Sequence, residues 1–598
     1  MSNDKVSGKA FDFGLLGRVF GLVRQYRFVV VMCIIFTILG SAIAISTPLI
    51  VGKVFNEYIG KVANPHDSVY IANVEHGLFL AGLLYFGLLL CQTLFMYFQT
   101  YYNGWLGQQA IQHLRIRIFG HILGFRLRVY DTTPVGTLIT RSISDVEAVA
   151  DVFGEGSISI IGDTMQILFI LSVMFYKSWQ ISLYCLSVFP ILLVAAYIFK
   201  EKVKISFQDV RTQVAKLSAF IQEHITGMQI VQVFNRQKRE LERFEKINAL
   251  HRDANIRGVM YYSVFFPVIE VLQAIAVAFI IWGGSHLVLR GHTDPGTMVL
   301  FILLINVLFR PVRMIADKFN TLQMGMVAAG RIFTMLDTVD ATPDTGTVVK
   351  PDMQGQVAFN NVWFAYNDEN WILKDISFEV KPGEMLAIVG HTGSGKTSVT
   401  SLINRLYEKQ KGDIWIDGTP VEDYELSNLR SQIAVVLQDV FLFSDTIANN
   451  IRLFNPNITI EQMEEAARMA GADRFINKLP GGFEYQVQER GATLSTGQRQ
   501  LISFIRAILQ NPAILILDEA TSSIDHETED MIQNATEVLL KGRTSIVIAH
   551  RLATIQKADR ILVMEKGRIV ESGTHSDLIN QGGLYRKLYE LQFTELVI

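Results

Sequence analysis

The octapeptide Gly390-His391-Thr392-Gly393-Ser394-Gly395-Lys396-Thr397 decides the fold of the second half of this chain. An apolar run from Met385 to Val389 precedes it and predicts a buried strand, and Ser398 to Tyr407 follows it and predicts a helix. In such a strand–loop–helix unit, glycines let backbone N–H groups point at phosphate oxygens, Lys396 reaches the outer phosphates, and the Thr397 hydroxyl can bind Mg²⁺. The positive end of the new helix adds to the attraction. We therefore predict that this segment, the phosphate loop, binds a nucleoside triphosphate.

Two carboxylates lie at the end of a second apolar run, Ile514 to Leu517. Asp518 is placed to contribute to the coordination shell of Mg²⁺, and Glu519 is placed to polarise the water that attacks the terminal phosphate. His550 follows a third predicted strand, Ser545 to Ala549, where an imidazole can contact the terminal phosphate. A lone histidine in such a place is more often structural. Because the same sequence also contains a phosphate loop and two carboxylates, we predict that His550 is catalytic.

Three further segments have the chemistry of nucleotide contacts. Tyr366 ends an alternating strand and can stack on adenine, although an aromatic residue there usually belongs to the core. Gln438 follows a predicted strand from Ile433 to Leu437. The run Leu494-Ser495-Thr496-Gly497-Gln498 opens a helix and offers a second anion site. Because one nucleotide cannot easily use both helix starts of one copy, we predict two copies placed head to tail, with each nucleotide between them.

The composition predicts a membrane protein of several domains. A chain of 598 residues is too long for one core, and 50% hydrophobic with 19% charged residues is more apolar than a soluble protein usually is. The formal net charge of −3 argues against a nucleic-acid binder that relies on positive potential. We predict an N-terminal elbow helix (1–27), a transmembrane domain (28–330), a linker (331–356) and a nucleotide-binding domain (357–598).

Six apolar runs in the first half are long enough to cross a hydrocarbon core of about 30 Å. They lie at 28–51, 77–102, 157–176, 179–199, 259–289 and 296–320. Few residues join runs three and four or runs five and six, whereas long polar segments rich in Lys and Arg join runs two and three and runs four and five. The positive-inside rule therefore predicts that the N-terminus and both long connections are cytoplasmic, and an even number of spans returns the ATPase half to the cytoplasm. We expect a multi-pass protein of the inner (cytoplasmic) membrane.

Each long connection is predicted to extend its spans as helices and to turn at a short tip. In the first connection, Tyr130 to Gly136 contains the Asp, Pro and Gly residues that end helices. In the second connection, we place the turn near Arg211 to Ser218. Such tips are natural contact points for a soluble domain.

Polar residues within the predicted spans are candidates for a substrate cavity. Glu270 and Gln273 lie in run five, and Arg310 lies in run six. A carboxylate in a span is costly and is a functional candidate, but a structural partner in a water-filled cavity explains Glu270 as well. Arg310 can meet an anionic head group, or it can mark the cytoplasmic half of its span.

Together, these motifs resemble those of the ABC transporter superfamily, and in particular exporter-type half-transporters with the membrane half before the ATPase half. The matching segments in chain order are the A-loop at Tyr366, Walker A at Gly390–Thr397, the Q-loop at Gln438, an exporter-specific segment at Glu489–Gly491, the signature at Leu494–Gln498, Walker B at Asp518–Glu519, the D-loop at Ser522–Asp525 and the H-loop at His550. The resemblance implies a multidomain membrane protein, with an all-α transmembrane domain of six helices followed by an α/β P-loop ATPase domain.

The resemblance also implies ATP and Mg²⁺ as cofactors. The implied ATP-binding residues are Tyr366, Gly390, His391, Thr392, Gly393, Ser394, Gly395, Lys396, Thr397, Gln438, Ser495, Gly497 and Gln498. The implied Mg²⁺ ligands are Thr397, Gln438 and Asp518, and the implied catalytic residues are Glu519 and His550.

The implied function is ATP-driven efflux or flipping of small amphipathic substrates, drugs or lipids, across the bilayer by alternating access.

One departure from the family pattern is Thr496, because the signature usually has glycine at this position. A β-branched residue fits there only if the backbone is not in the left-handed conformation. Since one chain holds every part of a competent site, we favour a homodimer over pairing with a different half-transporter. The alternatives are an ATP-gated channel and a regulatory subunit of a heterodimeric exporter, whereas six spans argue against a soluble ABC ATPase that acts on DNA or the ribosome.

Overall fold

The computed structural model describes residues 13–59, 68–153, 158–367, 370–519, 526–549 and 552–593. The chain divides into two compact units. The first unit comprises residues up to 123 together with 135–339, and the second comprises 124–134 together with residues from 340 onward.

The first unit is helical. Its described helices are α1 (Phe13–Leu22), α2 (Arg27–Val54), α3 (Ser68–Leu123), α5 (Val135–Ser142), α6 (Ser144–Asp151), α7 (Ile158–Lys177), α8 (Trp179–Leu186), α9 (Phe189–Thr226), α10 (Met228–Val233), α11 (Gln237–Leu289) and α12 (Pro295–Asp337), while α4 (Leu127–Thr132) belongs to the second unit.

Six helical segments of the described chain are long and apolar enough to span a membrane, as the sequence predicts. They are Arg24–Ile59, Ile71–Leu123, Ser159–Lys177, Trp179–Thr226, Gln237–Leu289 and Pro295–Arg313, and each overlaps one of the six predicted runs. Helices α3, α9 and α11 have 56, 38 and 53 residues, well beyond the roughly 20 that cross a bilayer. In α3, α9 and α11 a long connection therefore continues a span as one helix, whereas the arm that leads to α7 contains the short helices α5 and α6.

The second predicted tip is wrong in position. Residues 211–218 lie inside α9, because their Arg, Gln, Val, Ala, Lys and Leu residues continue a helix as readily as the residues before them. The turn falls instead at Gly227, which ends α9, and it is completed by Asn235, whose φ is +53°. Glycine and asparagine are the residues that most easily leave helical geometry.

The predicted linker also differs from the structure at its start. Helix α12 continues to Asp337, so residues 331–337 are helical, and the second unit resumes at residue 340. Arg18 of α1 makes a bidentate ion pair with Asp337, with both N···O distances 2.7 Å. The guanidinium also lies 4.2 Å from the centre of the Phe333 ring. The short N-terminal helix is therefore fixed to the end of α12.

The second unit contains two sheets. Their strands are β1 (Val357–Ala365), β2 (Trp371–Val380), β3 (Met385–Gly390), β4 (Lys411–Ile416), β5 (Thr419–Pro420), β6 (Ile433–Val436), β7 (Ile514–Glu519), β8 (Thr544–Ala549), β9 (Arg560–Glu565) and β10 (Arg568–Gly573). An antiparallel sheet has the order β2-β1-β4-β5, and a six-stranded sheet has the order β10-β9-β3-β8-β7-β6. In the larger sheet all neighbours are parallel except the edge pair β9 and β10.

Helices cover the larger sheet, as expected for a mostly parallel sheet. Besides α4, the described helices of the second unit are α13 (Lys396–Ile403), α14 (Leu426–Ser431), α15 (Ile447–Arg452), α16 (Ile460–Met469), α17 (Asp473–Ile476), α18 (Thr496–Gln510), α19 (His526–Leu540), α20 (Leu552–Gln556), α21 (His575–Gln581) and α22 (Leu584–Phe593). Along β7, Leu515 and Leu517 enter one apolar core while Ile514 and Ile516 enter the other. This alternation explains why the strand is apolar at every position.

Candidate functional site

The carboxyl ends of five parallel strands, β9, β3, β8, β7 and β6, lie at one edge of the larger sheet. Strand β3, which leads into the phosphate loop, pairs with β8, and β8 pairs with β7 as far as Glu519 opposite Ala549. The phosphate loop and the two carboxylates therefore flank β8. His550 follows Ala549 directly but lies outside the described residues, as do the predicted D-loop and the side chain of Glu519.

The phosphate loop needs glycine for two different reasons. Gly393 and Gly395 have φ of +81° and +104°, a region that residues with a side chain rarely adopt. A Cβ at Gly395 would lie 2.7 Å from Cδ2 of Leu373, whereas a Cβ at Gly393 would meet nothing within 4 Å. Gly395 therefore lets the loop pack against β2 of the antiparallel sheet, whereas a side chain at Gly393 would enter open space.

Lys396 is turned into the phosphate loop. Its ammonium donates to the carbonyls of Gly390 at 2.8 Å and His391 at 3.1 Å, and the residue is only 7% exposed. Burial lowers the pKa of the lysine, and the nearby Asp518 carboxylate opposes that shift. The hydroxyl of Ser394 is also buried, with no hydrogen-bond partner among the described atoms. A buried cation and an orphaned hydroxyl in a glycine loop fit a phosphate group.

The predicted magnesium ligands supply only oxygen donors, which Mg²⁺ prefers. Thr397 lies at the start of α13 and Gln438 lies two residues after β6, and both are exposed. Asp518 belongs to β7, which lies beside β6 in the sheet. The donor chemistry of these three residues fits a hard divalent cation.

Tyr366 is held against the helix that follows the phosphate loop. Its hydroxyl lies 3.0 Å from Oγ of Ser398 in α13. Its ring meets those of Phe364 and Tyr407 edge to face, with centroids 4.8 and 4.9 Å apart. The aromatic ring is therefore fixed in orientation while remaining half-buried, an arrangement that suits a stacking surface for a base.

The predicted signature forms the N-terminus of α18. Ser495 caps the helix: its hydroxyl accepts from the N–H of Gln498 at 3.2 Å, and its own N–H donates to Oε1 of Gln498 at 3.0 Å. Gly497 is buried in the first turn. Thr496 is the first helical residue and is not among the described residues with positive φ, so its β-branched side chain is compatible with this position.

Arg499 is a residue of this region that sequence reasoning missed. Its guanidinium donates to Oγ1 of Thr496 at 3.2 Å and to the carbonyls of Gly491 at 3.3 Å and Leu494 at 3.1 Å. It thereby fastens the Glu489–Gly491 segment to the start of α18. The spacing of three residues between Thr496 and Arg499 is the only signal that the sequence offers.

The first predicted tip has contacts within the second unit. Arg126 donates its backbone N–H to the carbonyl of Asp340 at 2.8 Å and its Nε to the carbonyl of Ala341 at 2.7 Å. Asp131 accepts a hydrogen bond from the hydroxyl of Tyr407, the residue that packs on Tyr366. Residues 124–134 are therefore attached to the aromatic group beside the phosphate loop.

The three predicted cavity residues lie in different surroundings. Glu270 is exposed on α11. Gln273 accepts from Arg313 at 2.6 Å and donates to Asn306 at 2.6 Å. Arg310 instead lines a chamber to which neither Glu270 nor Gln273 contributes.

Comparisons with known proteins agree with this architecture. Residues 30–312 match a family model described as ABC transporter transmembrane region, and residues 373–522 match one described as ABC transporter. An uncharacterized ABC transporter ATP-binding protein, YknV of Bacillus subtilis, is 34% identical over 598 residues, which are 100% of this chain and 97% of that protein.

Two further relatives have more specific names. A probable multidrug resistance ABC transporter ATP-binding/permease protein, YheH of Bacillus subtilis, is 38% identical over 86% of this chain and 77% of its own length. An ATP-dependent lipid A-core flippase of Shewanella frigidimarina is 39% identical over 83% of each chain.

Proposed function

This chain belongs to the ABC transporter family, and from that we propose that it is one half of an exporter that moves amphipathic molecules, drugs or lipids, across the cytoplasmic membrane. It is a multi-pass membrane protein that binds ATP and couples ATP hydrolysis to transport. The observation that carries the exporter proposal is that one chain contains both six spans and a complete phosphate loop. The names of two relatives, multidrug resistance transporter and lipid A-core flippase, support the substrate class.

We assign the roles at the nucleotide site from the geometry of the sheet edge. Lys396 and the backbone of Gly390–Thr397 hold the phosphates, and Tyr366 supports the adenine. Thr397, Gln438 and Asp518 would hold Mg²⁺, which supplies charge neutralisation between the outer phosphates. Glu519, at the end of β7, orients and activates the attacking water.

The capped start of α18 supports a dimer. Its first N–H groups and the hydroxyl of Ser495 can bind an anion, and they belong to a different helix from the one that follows the phosphate loop. In our proposal this surface closes on the nucleotide held by a second copy. One chain contains all the motifs of a site, which favours a homodimer.

The excess of Lys and Arg in the long connections supports a cytoplasmic location for these connections, the N-terminus and the ATPase unit. Transport then proceeds by alternating access: ATP joins the two ATPase units, the spans open outward, and hydrolysis resets them.

The function is tested by measuring the ATPase rate of the purified protein in proteoliposomes with a panel of lipids and hydrophobic drugs, together with transport of the compounds that stimulate it. We expect at least one amphipathic compound to raise the ATPase rate and to be moved in one direction only while ATP is present. An ATP-gated channel would instead let the compound equilibrate, and a regulatory subunit would hydrolyse ATP without moving any compound.

A further inference from the structure

An ion pair joins the two helices at the base of the turn from Gly227 to Arg236, which we call the second tip. His224 lies in the last turn of α9, and Glu240 lies in the first turn of α11. Nε2 of His224 lies 2.9 Å from Oε2 of Glu240, and each side chain is only 17% exposed. His224 is about 25 residues beyond the predicted span 179–199, or roughly 37 Å along the helix, so the pair lies in the polar connection.

The hydrogen bonds of His224 require a doubly protonated ring. Its Nδ1 lies 2.7 Å from the carbonyl oxygen of Phe220, one turn earlier on α9. A carbonyl and an ionised carboxylate can only accept hydrogen bonds, so both ring nitrogens must donate. A neutral imidazole has a single N–H and can make only one of these two bonds. The geometry therefore favours the charged form of His224.

The two helices favour the same charged form. The positive charge of His224 lies at the C-terminus of α9 and the negative charge of Glu240 lies at the N-terminus of α11, so each charge matches the dipole of its own helix. The hydrogen bond to Glu240 is the largest influence that raises the pKa of His224 above its ordinary 6.5. The hydrogen bond to Phe220 raises this pKa as well, and burial opposes the shift.

The other charged groups around His224 do not replace this pair. Arg243 donates to the same Oε2 of Glu240 at 2.7 Å, but both residues belong to α11, so their ion pair does not join the two helices. Glu223, beside His224 on α9, is exposed and adds a second negative charge. Helix α10 has no charged residue. The remaining basic residues next to the tip are exposed: Arg236, Lys238 and Arg239.

The tip itself has little packing within the described chain. Ile230, Val233 and Phe234 are 65%, 71% and 68% exposed, and α10 has no buried residue. Segments with few buried contacts open locally at a small cost in free energy. The bond between His224 and Glu240 is therefore an important restraint on the two ends of the tip.

We propose that the protonated form of His224 fixes the second tip, and that rising pH loosens the tip and weakens the coupling of ATP hydrolysis to transport. A group whose pKa is raised on folding stabilises the structure fully below its ordinary value, and this contribution is lost as the pH rises through the raised value. The tip is therefore held most firmly below the ordinary histidine value. The effect on coupling rests on the proposed exporter function, whereas the effect on the tip does not.

The first test is hydrogen–deuterium exchange of the full-length protein in nanodiscs without nucleotide, from about pH 6 to about pH 9. Each rate is divided by the rate of an unstructured peptide at the same pH, which gives a protection factor. We expect the protection of amides 228–236 to fall about threefold to tenfold over this range, as the charge of His224 is lost. Amides in the rest of α9 and α11 should keep their protection.

Three variants provide the comparison. His224→Gln cannot be charged, so its tip should have low protection at every pH. His251→Gln removes a histidine of α11 whose ring contacts Asn255 on the same helix, so the pH dependence should remain. Glu240→Gln keeps the histidine but removes its partner's charge, so the midpoint of the change should move down toward 6.5.

The second test measures the number of amphiphile molecules moved for each ATP hydrolysed in proteoliposomes over the same pH range. This ratio should fall with rising pH in the unaltered protein and in His251→Gln, and it should be low at every pH in His224→Gln.

The inference is overturned if the protection of the tip does not change with pH, if it changes equally in His224→Gln, or if the midpoint is unaltered in Glu240→Gln. A transport ratio with the same pH dependence in His224→Gln as in the unaltered protein would overturn the effect on coupling. Failure of all ATP-driven transport, with the exchange result intact, would overturn the exporter function instead.

Discussion

Glu519 is the residue on which turnover depends in this account. It ends β7 beside the strand that leads to His550, where a carboxylate can orient the attacking water. We predict that Glu519→Gln keeps ATP binding, because the phosphate loop is untouched, and lowers the hydrolysis rate by about 10²–10⁴-fold, the usual contribution of a general base. Nucleotide binding and phosphate release by the purified protein measure the two effects separately. Hydrolysis at the normal rate would assign the base to another residue.

The strands and helices that carry the predicted nucleotide-site residues could be predicted, because each motif combines a residue type with a strand end or a helix start. Thr496 is the instructive case. A β-branched residue at this position requires a backbone that is not left-handed. Thr496 satisfies this requirement because it is the first residue of α18. Its contact with Arg499 was not predictable, because a spacing of three residues on a helix does not reveal which partners a guanidinium selects.

The packing of α7 against α2 is tight at one point. A Cβ at Gly162 would lie 2.3 Å from Cγ2 of Thr37, which is buried. We predict that Gly162→Ala destabilises the protein by about 1–3 kcal/mol, the usual cost of overpacking, and lowers its thermal unfolding midpoint. Thr37→Ser removes the clashing methyl and retains the hydroxyl that donates to the Cys33 carbonyl. The double variant should recover most of the loss, and a double variant no better than Gly162→Ala would show that the two helices do not meet there.

The attachment of α1 to α12 should depend on pH. The Arg18 guanidinium lowers the pKa of the Asp337 carboxyl below its ordinary 3.8. A lowered carboxyl pKa stabilises the folded state above the ordinary value, and this contribution is lost as the pH falls through the lowered value. We therefore predict that the thermal midpoint of the unaltered protein exceeds that of Asp337→Asn at neutral pH and that the two converge in acid.

The difference should be small and should shrink at high salt, because both side chains are about half exposed. A difference that grows as the pH falls would contradict the ion pair.

Helices were easier to predict than the turns between them. The spans follow from apolar length alone, and Tyr130–Gly136 contains strong helix breakers. The second turn was misplaced because Gly227 is an isolated breaker in a polar helical stretch, and one glycine is a weak signal.

At the scale of the whole molecule, each ATP site should be shared between two copies. Lys396→Ala disables every phosphate loop of its homodimer, and Ser495→Ala disables every signature. In a mixed dimer, one site combines an intact loop with an intact signature from the other copy. We predict that mixing the two variants restores ATPase activity that neither has alone. A mixture as inactive as its components would mean that each site lies within one chain.

The chamber could not be predicted from the sequence. Its lining comes from residues near 40, 95, 163 and 310, on four helices that are far apart along the chain. Periodicity predicts that these helices exist, but only their packing decides that Arg310 faces the chamber while Arg313 bonds to Gln273.

The most direct test of the account is the movement of a fluorescent amphiphile in proteoliposomes whose ATPase units face the outer solution. We predict that ATP drives accumulation of the amphiphile in the lumen above its outside concentration and that Glu519→Gln, with ATP bound, does not accumulate it. Equilibration without accumulation, or accumulation by Glu519→Gln at the normal rate, would contradict the claim that ATP hydrolysis drives transport through the six spans.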